Sequence, residues 1–327
     1  MSVNKKIIET ESAVPLEAFN IVTYSGTSAS HSITGVGFQP DFVWLKSITQ
    51  IDNHYWQDSS RGATRRIYSN QTLPEYPPDS NRFTSFDADG FTVGSDNSVN
   101  MTGHDYVAWC WKMNGGSTTT TSGVARQVNS TYGQAILTYA GDDTSNRYVT
   151  HGIGTAPRVV ITKGRNVNAG WPTQIDLYYG NRLNSNAANN AGNGAVFYTN
   201  WPPSTTQYRI GFSDEINFSA YNYVSYVFAS IAGYSNMGSY VGNSTNRTIT
   251  TGFQPDWIMI KTMNTTGDWQ VWDSVRGFNK KLSANTDAAE STTSVITGVS
   301  STGFSITSDS TVNGSGTEYA YLAFKIS

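Results

Sequence analysis

The feature that most constrains this chain is that it contains one unit three times. Residues 32–46 (SITGVGFQPDFVWLK) and 248–261 (TITTGFQPDWIMIK) are plainly related, and residues 149–163 (VTHGIGTAPRVVITK) are a degenerate third copy. A Tyr-x-Gly precedes each copy: Tyr24 with Gly26, Tyr139 with Gly141, Tyr240 with Gly242. A second apolar run opening on tyrosine follows at nearly fixed distance, 66 residues from Pro40 to Tyr106, 66 from Pro157 to Tyr223 and 64 from Pro255 to Tyr319. Ordered anchors at one period mean tandem copies of a supersecondary unit. The expected boundaries are an N-terminal arm over 1–18, a first repeat over 19–114, a Gly/Ser/Thr-rich linker over 115–133, a second repeat over 134–232 and a third over 233–327. The linker lacks periodicity and reads as flexible or extended. The second and third repeats have no linker between them and are expected to abut rigidly.

Within a unit, runs such as NIVTYSG, DFVWLKSI and YVAWCWK are short, β-branched and aromatic, and are bounded by Gly, Asn, Asp and Ser. No window longer than about ten residues keeps a helical period. The alternation in DWIMIK puts Trp257, Met259 and Lys261 on one face and Ile258 and Ile260 on the other, so this strand wants cover on both sides. The expected fold class is all-β: three tandem antiparallel β-sandwich repeats of roughly 95 residues, each with about six to eight strands, behind an extended N-terminal arm.

Charged residues are 14% of the 327 and aromatics 13%, so solubility rests on Ser, Thr, Asn and Tyr. A net charge of -3 offers no basic field to a phosphate backbone, which argues against a nucleic-acid partner. The single Cys110, in YVAWCWK, cannot staple the fold and reads as a small buried hydrophobe. No apolar run is long enough to insert in a membrane. The opening MSVNKKIIETES lacks the pattern of a signal peptide, so synthesis in a cytoplasm is expected.

The run VWDSVRGF, residues 271–278, gathers an acid, a hydroxyl and a guanidinium as an active site would. Its near copy WQDSSRGA occupies 56–63: Asp58 and Asp273 both fall 18 residues after the shared proline, with Asp176 at 19 in the second copy. Arg61 and Arg276 follow by three and Gly62 and Gly277 by four, whereas in the second copy Tyr179 stands for the arginine and Gly180 for the glycine. A catalytic reading makes the acid a general base and the arginine an anion clamp. An element carried by every copy reads instead as turn grammar, with a capping carboxylate, a pairing arginine and a glycine at positive φ. Asp273 is therefore expected to bond within its own repeat, to Arg276 or to nearby backbone N–H groups, and to line no cleft.

Glu75, Glu215, Glu290 and Glu318 are expected to be solvated, so a carboxylate pair for glycoside hydrolysis is left open only between acids that face each other across repeats. Motifs of acyl-transfer and nucleotide chemistry are absent. His31, His54, His104 and His151 lack ligand spacing, so neither a metal nor another cofactor is expected. In FDADGF, Asp87 and Asp89 precede a glycine as calcium ligands do, but the third copy reads VSSTGF, which points to a hairpin turn. The variable loops LPEYPPDS and TNWPPSTT carry Tyr76 and Trp201, stiff aromatic plates that suit stacking on sugars or docking on protein, or that fold back as plugs. Trp171 is a third candidate for ligand binding.

Taken together, Tyr-x-Gly, GFQPDWIMIK, VWDSVRGFNKKLSANTDAAE and the closing YAYLAFKI resemble a family of repeated β-domains found in virion structural proteins of tailed phages, notably those of marine bacteria. The resemblance covers residues 19–327, with the second copy in a divergent form. It implies a non-enzymatic virion-surface protein, a tail fibre or receptor-binding component for host attachment. A capsid decoration protein and a glycan-degrading tail enzyme are the alternatives. The implied partners are other virion proteins, met through the arm or the first repeat, and a host surface glycan or outer-membrane protein.

Overall fold

The computed structural model describes residues 18–114, 118–188, 197–199 and 201–327, so the expected arm lies outside the described residues except for Ala18. The fold is all-β, and each repeat pairs a large antiparallel sheet with a small one. In the first repeat the large sheet orders strands Phe19–Ser25, Asp105–Trp111, Phe42–Ser47, Tyr55–Asp58 and Ile67–Tyr68, while the small one orders His31–Ile33, Gly90–Val93 and Phe83–Asp87. The other repeats reproduce this plan around central strands Asn222–Phe228 and Glu318–Phe324. Between the two sheets lies a private core, in which Val43 and Leu45 meet Phe83, Phe91 and Val93. Equivalent cores fill the second and third repeats.

The Tyr-x-Gly motif closes the end of each sandwich. Tyr24, Tyr139 and Tyr240 stack on Tyr106, Tyr223 and Tyr319 at 5.1, 5.3 and 5.1 Å, and donate to the carbonyls of Val99, Ile216 and Val312. A Cβ on Gly26, Gly141 or Gly242 would collide with the backbone of Met101, Phe218 or Gly314. Only glycine permits that approach.

The second apolar face of each central strand points away from its own sandwich. Phe42, Trp44, Val159, Ile161, Trp257 and Met259 all enter one core shared by the three repeats. Trp111, Phe228 and Phe324, each five residues beyond its anchor tyrosine, stand 6.0, 5.7 and 5.5 Å apart in a triangle around a pseudo-threefold axis. The packing leaves a void of only about 10 Å³ there. Each large side chain buried on the axis contributes roughly 1.5–3 kcal/mol. This core, rather than a second sheet within the unit, answers the two-sided pattern of DWIMIK.

The ring closes where the described chain begins and ends. Ala18 and Phe19 donate backbone N–H groups to Ser327 O at 2.8 and 3.1 Å, and Ser327 N returns one to Phe19 O at 3.0 Å. The expected linker is largely sheet: Val124–Asn129 pairs with Gln134–Ala140, and Thr119–Thr121 pairs in turn with Val124–Asn129. Val124 is buried in the second core and Val128 packs on it, which fixes a stretch whose polar composition suggested freedom. All three repeats therefore pack together, and abutment is not confined to the second and third.

Candidate functional site

Three seams radiate from the axis, and the recurring polar residues of the chain meet in them. Seam A joins repeats one and two, seam B two and three, and seam C three and one. In each, a backbone N–H of one repeat donates to a loop carbonyl of its neighbour: Ala169 to Thr72 at 2.9 Å, Gly267 to Asn186 at 2.8 Å and Asp52 to Asp287 at 2.9 Å. Trp171 Nε1 donates to the Tyr68 and Gln71 carbonyls across seam A, and Trp269 Nε1 to those of Arg182 and Ser185 across seam B. The same position at seam C holds His54, whose ring lies against the Ser283 backbone and accepts from Trp44 Nε1. Burial, with the charge of Lys46, keeps the His54 imidazole well below its ordinary pKa and therefore neutral.

A lysine in every copy, six residues after the proline, adds a further polar link. Lys163 Nζ reaches Thr72 O at 3.1 Å across seam A and Lys261 Nζ reaches Ala187 O at 3.0 Å across seam B. Lys46 bonds Ser47 O and Gln50 O and feels Asp287 of the third repeat. Burial lowers Lys163 to about 7, against the pull of Glu215. It lowers Lys46 and Lys261 to about 8, against Asp52 and Asp268 respectively.

The Asp-Ser-x-Arg-Gly run pins two of the seams. Asp58 accepts Arg61 N at 2.9 Å and Arg61 Nε at 2.5 Å, and Asp273 accepts Arg276 N at 2.9 Å and Arg276 Nε at 2.6 Å. Gly62 and Gly277 follow at φ 97° and 92°, the left-handed turn conformation. The bonds within the repeat are those expected of Asp273, but each carboxylate also crosses a seam. Tyr226 OH donates to Asp58 Oδ2 at 2.6 Å, and Trp109 Nε1 donates to Asp273 Oδ2 at 3.0 Å. Tyr226 and Trp109 hold the same repeat position, third after the anchor tyrosine, where the third copy has the non-donor Leu322.

The second copy departs from the motif. Val159 pairs with Ile175 where Phe42 pairs with Asp58, so Asp176 occupies the place of Ser59 and Ser274. Ser59 and Ser274 hydroxyls bond Asp41 and Asp256 after the proline, whereas Asp176 bonds Arg158 there, at 2.7 Å, in an ion pair. The chain turns directly at Asp176, φ 48°, into strand Tyr178–Arg182. Gly180 falls inside that strand and does not serve the turn, and Tyr178, facing Glu318, comes closest to the missing arginine. Asp176 still receives a bond across seam B, from Ser239 Oγ at 3.1 Å.

The remaining candidates separate cleanly. Trp171 is fully buried in the shared core and offers no surface to a ligand, because its indole is spent on seam A. Tyr76 folds back as a plug: its ring lies 5.0 Å from Tyr68 and under the Arg66 guanidinium at 4.4 Å. Trp201 likewise packs, half-buried, on the second core beside Tyr198. Asp87 accepts from Thr92 Oγ1 within its hairpin, and Asp89 accepts the Gly35 and Gly37 amides, tying the hairpin turn to the loop after strand His31–Ile33. Among the described residues no three His, Cys, Asp or Glu side chains gather as a metal cluster. Pro40, Pro157 and Pro255 precede strands Phe42–Ser47, Val159–Gly164 and Trp257–Thr262, which send Phe42, Val159 and Trp257 into the shared core.

Three of the four glutamates expected in solvent, Glu75, Glu215 and Glu290, are ion-paired, and Glu318 faces Tyr178 across seam B. Glu75 N donates to Arg165 O at 2.7 Å across seam A, and its carboxylate takes Arg61 at 3.2 Å, Arg65 at 3.0 Å and Arg165 at 3.0 and 3.1 Å. Burial raises the Glu75 carboxyl, but the bonds and charges of Arg165 and Arg61 outweigh it and hold it below the usual glutamate range. Glu290, 35 residues after its proline like Glu75, pairs with Arg276 at 2.9 Å, and Glu215 pairs with Arg182 at 2.9 Å. That shared offset, and the lysine common to all copies, were the available signals of the seams.

Among the described residues, two seams open into grooves. That of seam A holds about 520 Å³ between Arg65, Pro74, Glu75, Arg165, Asn166 and Asn222. That of seam C holds about 440 Å³ and includes Ile48, Asp105, Val275, Arg276 and Glu290. Fold and seams together define a single-chain pseudo-trimer of β-sandwiches. Over residues 14–326 the chain matches a family described as a domain of unknown function, DUF7483, and it belongs to that family. No curated protein matches it.

Proposed function

We propose that this protein is a non-enzymatic surface component of a tailed-phage virion, acting in host attachment as a tail-fibre or receptor-binding part. The observation that carries this reading is the closed pseudo-threefold body, in which Asp58, Asp176 and Asp273 are all engaged in holding neighbouring repeats together. A threefold body matches a threefold partner, such as a trimeric fibre shaft. Ala18 and Ser327 lie together at one pole, so an attachment made from that side leaves the loops at the far ends of the strands, with exposed Ile51 and Val241, to face outward. The resemblance in sequence supports the virion setting.

The same pseudo-symmetry also suits a decoration protein seated on a local threefold axis of a capsid, which is the second reading. Labelled antibody on intact particles separates the two, tail labelling supporting the first and head labelling the second. If the purified protein neither binds host cells nor blocks adsorption, the attachment role fails. Release of reducing ends from host surface glycan would overturn the non-enzymatic reading.

A further inference from the structure

The seams share a backbone plan but differ in charge. Around the groove of seam A stand three guanidiniums, Arg61, Arg65 and Arg165, against the carboxylates of Asp58 and Glu75. Around that of seam C the cations are Arg276 and Lys280, against three carboxylates, Asp273, Glu290 and Asp105. The positions of Arg165 and Asn222 in seam A are held in seam C by Ile48 and Asp105. Arg165 gives Nε and Nη2 to Glu75, and Arg65 gives only Nη1, so Arg165 Nη1 and Arg65 Nε and Nη2 have no hydrogen bond to a described residue. The Asn222 side chain is exposed beside them.

We infer that the groove of seam A binds an anionic saccharide, with a carboxylate or sulfate held by Arg65 and Arg165. The planar fork of arginine matches both oxyanions, and the N–H groups left over from Glu75 supply it. The groove is far larger than one oxyanion and within the usual range of small-molecule sites. Pro74 is its one apolar lining residue, which disfavours a greasy acid, while the exposed Asn222 offers an amide suited to a hydroxyl group beside Asn166, whose own amide accepts Asn222 N and donates to Ala220 O. The biological setting of this site rests on the attachment role proposed above; the binding itself does not.

Titration calorimetry on the full chain tests it with four probes: a glucuronate tetrasaccharide, its neutral carboxyl-reduced analogue, a sulfated form of that analogue, and inorganic sulfate. Both anionic saccharides are expected to bind, and the neutral analogue to bind at least about tenfold more weakly. Arg65→Gln and Asn222→Asp, both at exposed side chains, should each weaken binding about tenfold or more at an unchanged unfolding midpoint. Affinity should fall as salt rises. The absence of binding by either anionic saccharide, or unchanged affinity in both variants, overturns the inference; sulfate binding as tightly as the saccharides overturns its saccharide part. Adsorption blocked equally by wild type and Arg65→Gln would sink this site and leave the attachment role standing. Saccharide binding by a protein that does not block adsorption would do the reverse.

Discussion

Seams A and C are pinned by aspartates buried with their arginines, whereas seam B is pinned by an aspartate whose arginine is half in solvent. Asp58 with Arg61 and Asp273 with Arg276 are almost completely excluded from water, while the Arg158 side chain is 49% exposed. In the first pair of seams the carboxylate arranges a turn, neutralises a buried guanidinium and receives an aromatic donor from the next repeat. In seam B the turn has shrunk to a hairpin, and the donor is the serine hydroxyl of Ser239. One architectural task is therefore met by a buried ion pair that only its partner makes tolerable, and by an open pair that water can replace.

The sharpest way to break this comparison is to truncate the acids. Asp58→Ala and Asp273→Ala should each destabilise the fold by about 3–5 kcal/mol, because each strips a buried guanidinium of its nearer carboxylate, leaving it only Glu75 or Glu290, and removes the turn and seam bonds that the aspartate accepts. Asp176→Ala should cost only about 1–2 kcal/mol, most of it from placing alanine at φ 48°, since Arg158 turns to water. Urea unfolding midpoints decide it, and equal losses at all three sites would show that the seams are equivalent after all.

What the seams share can be tested by pH. Unfolded lysine keeps its proton to about 10.4, but folded Lys163 releases it near 7 and folded Lys46 and Lys261 near 8. Between these values the unfolded chain binds more protons, so stability rises with pH from about 7 to 10. On the acid side, unfolded histidine takes up protons near 6.5 while His54 stays neutral and His151 is held at about 4, so stability falls as pH drops below about 6.5. Above about pH 10 the buried tyrosines Tyr24, Tyr139, Tyr226 and Tyr240, whose ionisation burial pushes upward, reverse the trend. An unfolding midpoint that stays flat from pH 7 to 9.5 would mean that the three lysines remain charged in the folded protein.

Smaller changes refine the comparison. Tyr226→Phe and Trp109→Phe remove single donors to Asp58 and Asp273 and should cost about 1.5–3 kcal/mol each. Ser239→Ala, the counterpart at seam B, should cost less than about 1 kcal/mol. A Ser239→Ala loss as large as that of Tyr226→Phe would place seam B among the buried ones.

Much of the fold was legible because local rules set it. The tyrosine-to-tyrosine stack and the glycine of Tyr-x-Gly recur in all three copies, since each sandwich closes its own end in the same way. The positive-φ glycine and the Asp–Arg bonds of the DSxRG turn were equally readable. Long-range partners were not. Trp109 and Asp273 are 164 residues apart, and no local spacing announces that one bonds the other. Asp176 was matched to Asp58 by residue type although its offset of 19 from the proline is that of Ser59, and the strand register, with Ile175 opposite Val159, puts it there. The glutamates looked solvated because Glu75 meets Arg165 only once two repeats face each other.

The sequence alone determined that this chain makes three copies of one β-sandwich, because periodic anchors and alternating apolar residues are instructions read within a repeat. It also showed that the central strands are apolar on both faces, without saying what covers the second face. Only the tertiary structure decided that the cover is the other two repeats, meeting at Trp111, Phe228 and Phe324. Burial on an axis is a property of how units assemble, and a hydrophobic face is non-directional, so it demands company without naming it. The DSVRG run entered as a local motif, and its seam-crossing role became visible only when Trp109 of another repeat was found on its carboxylate.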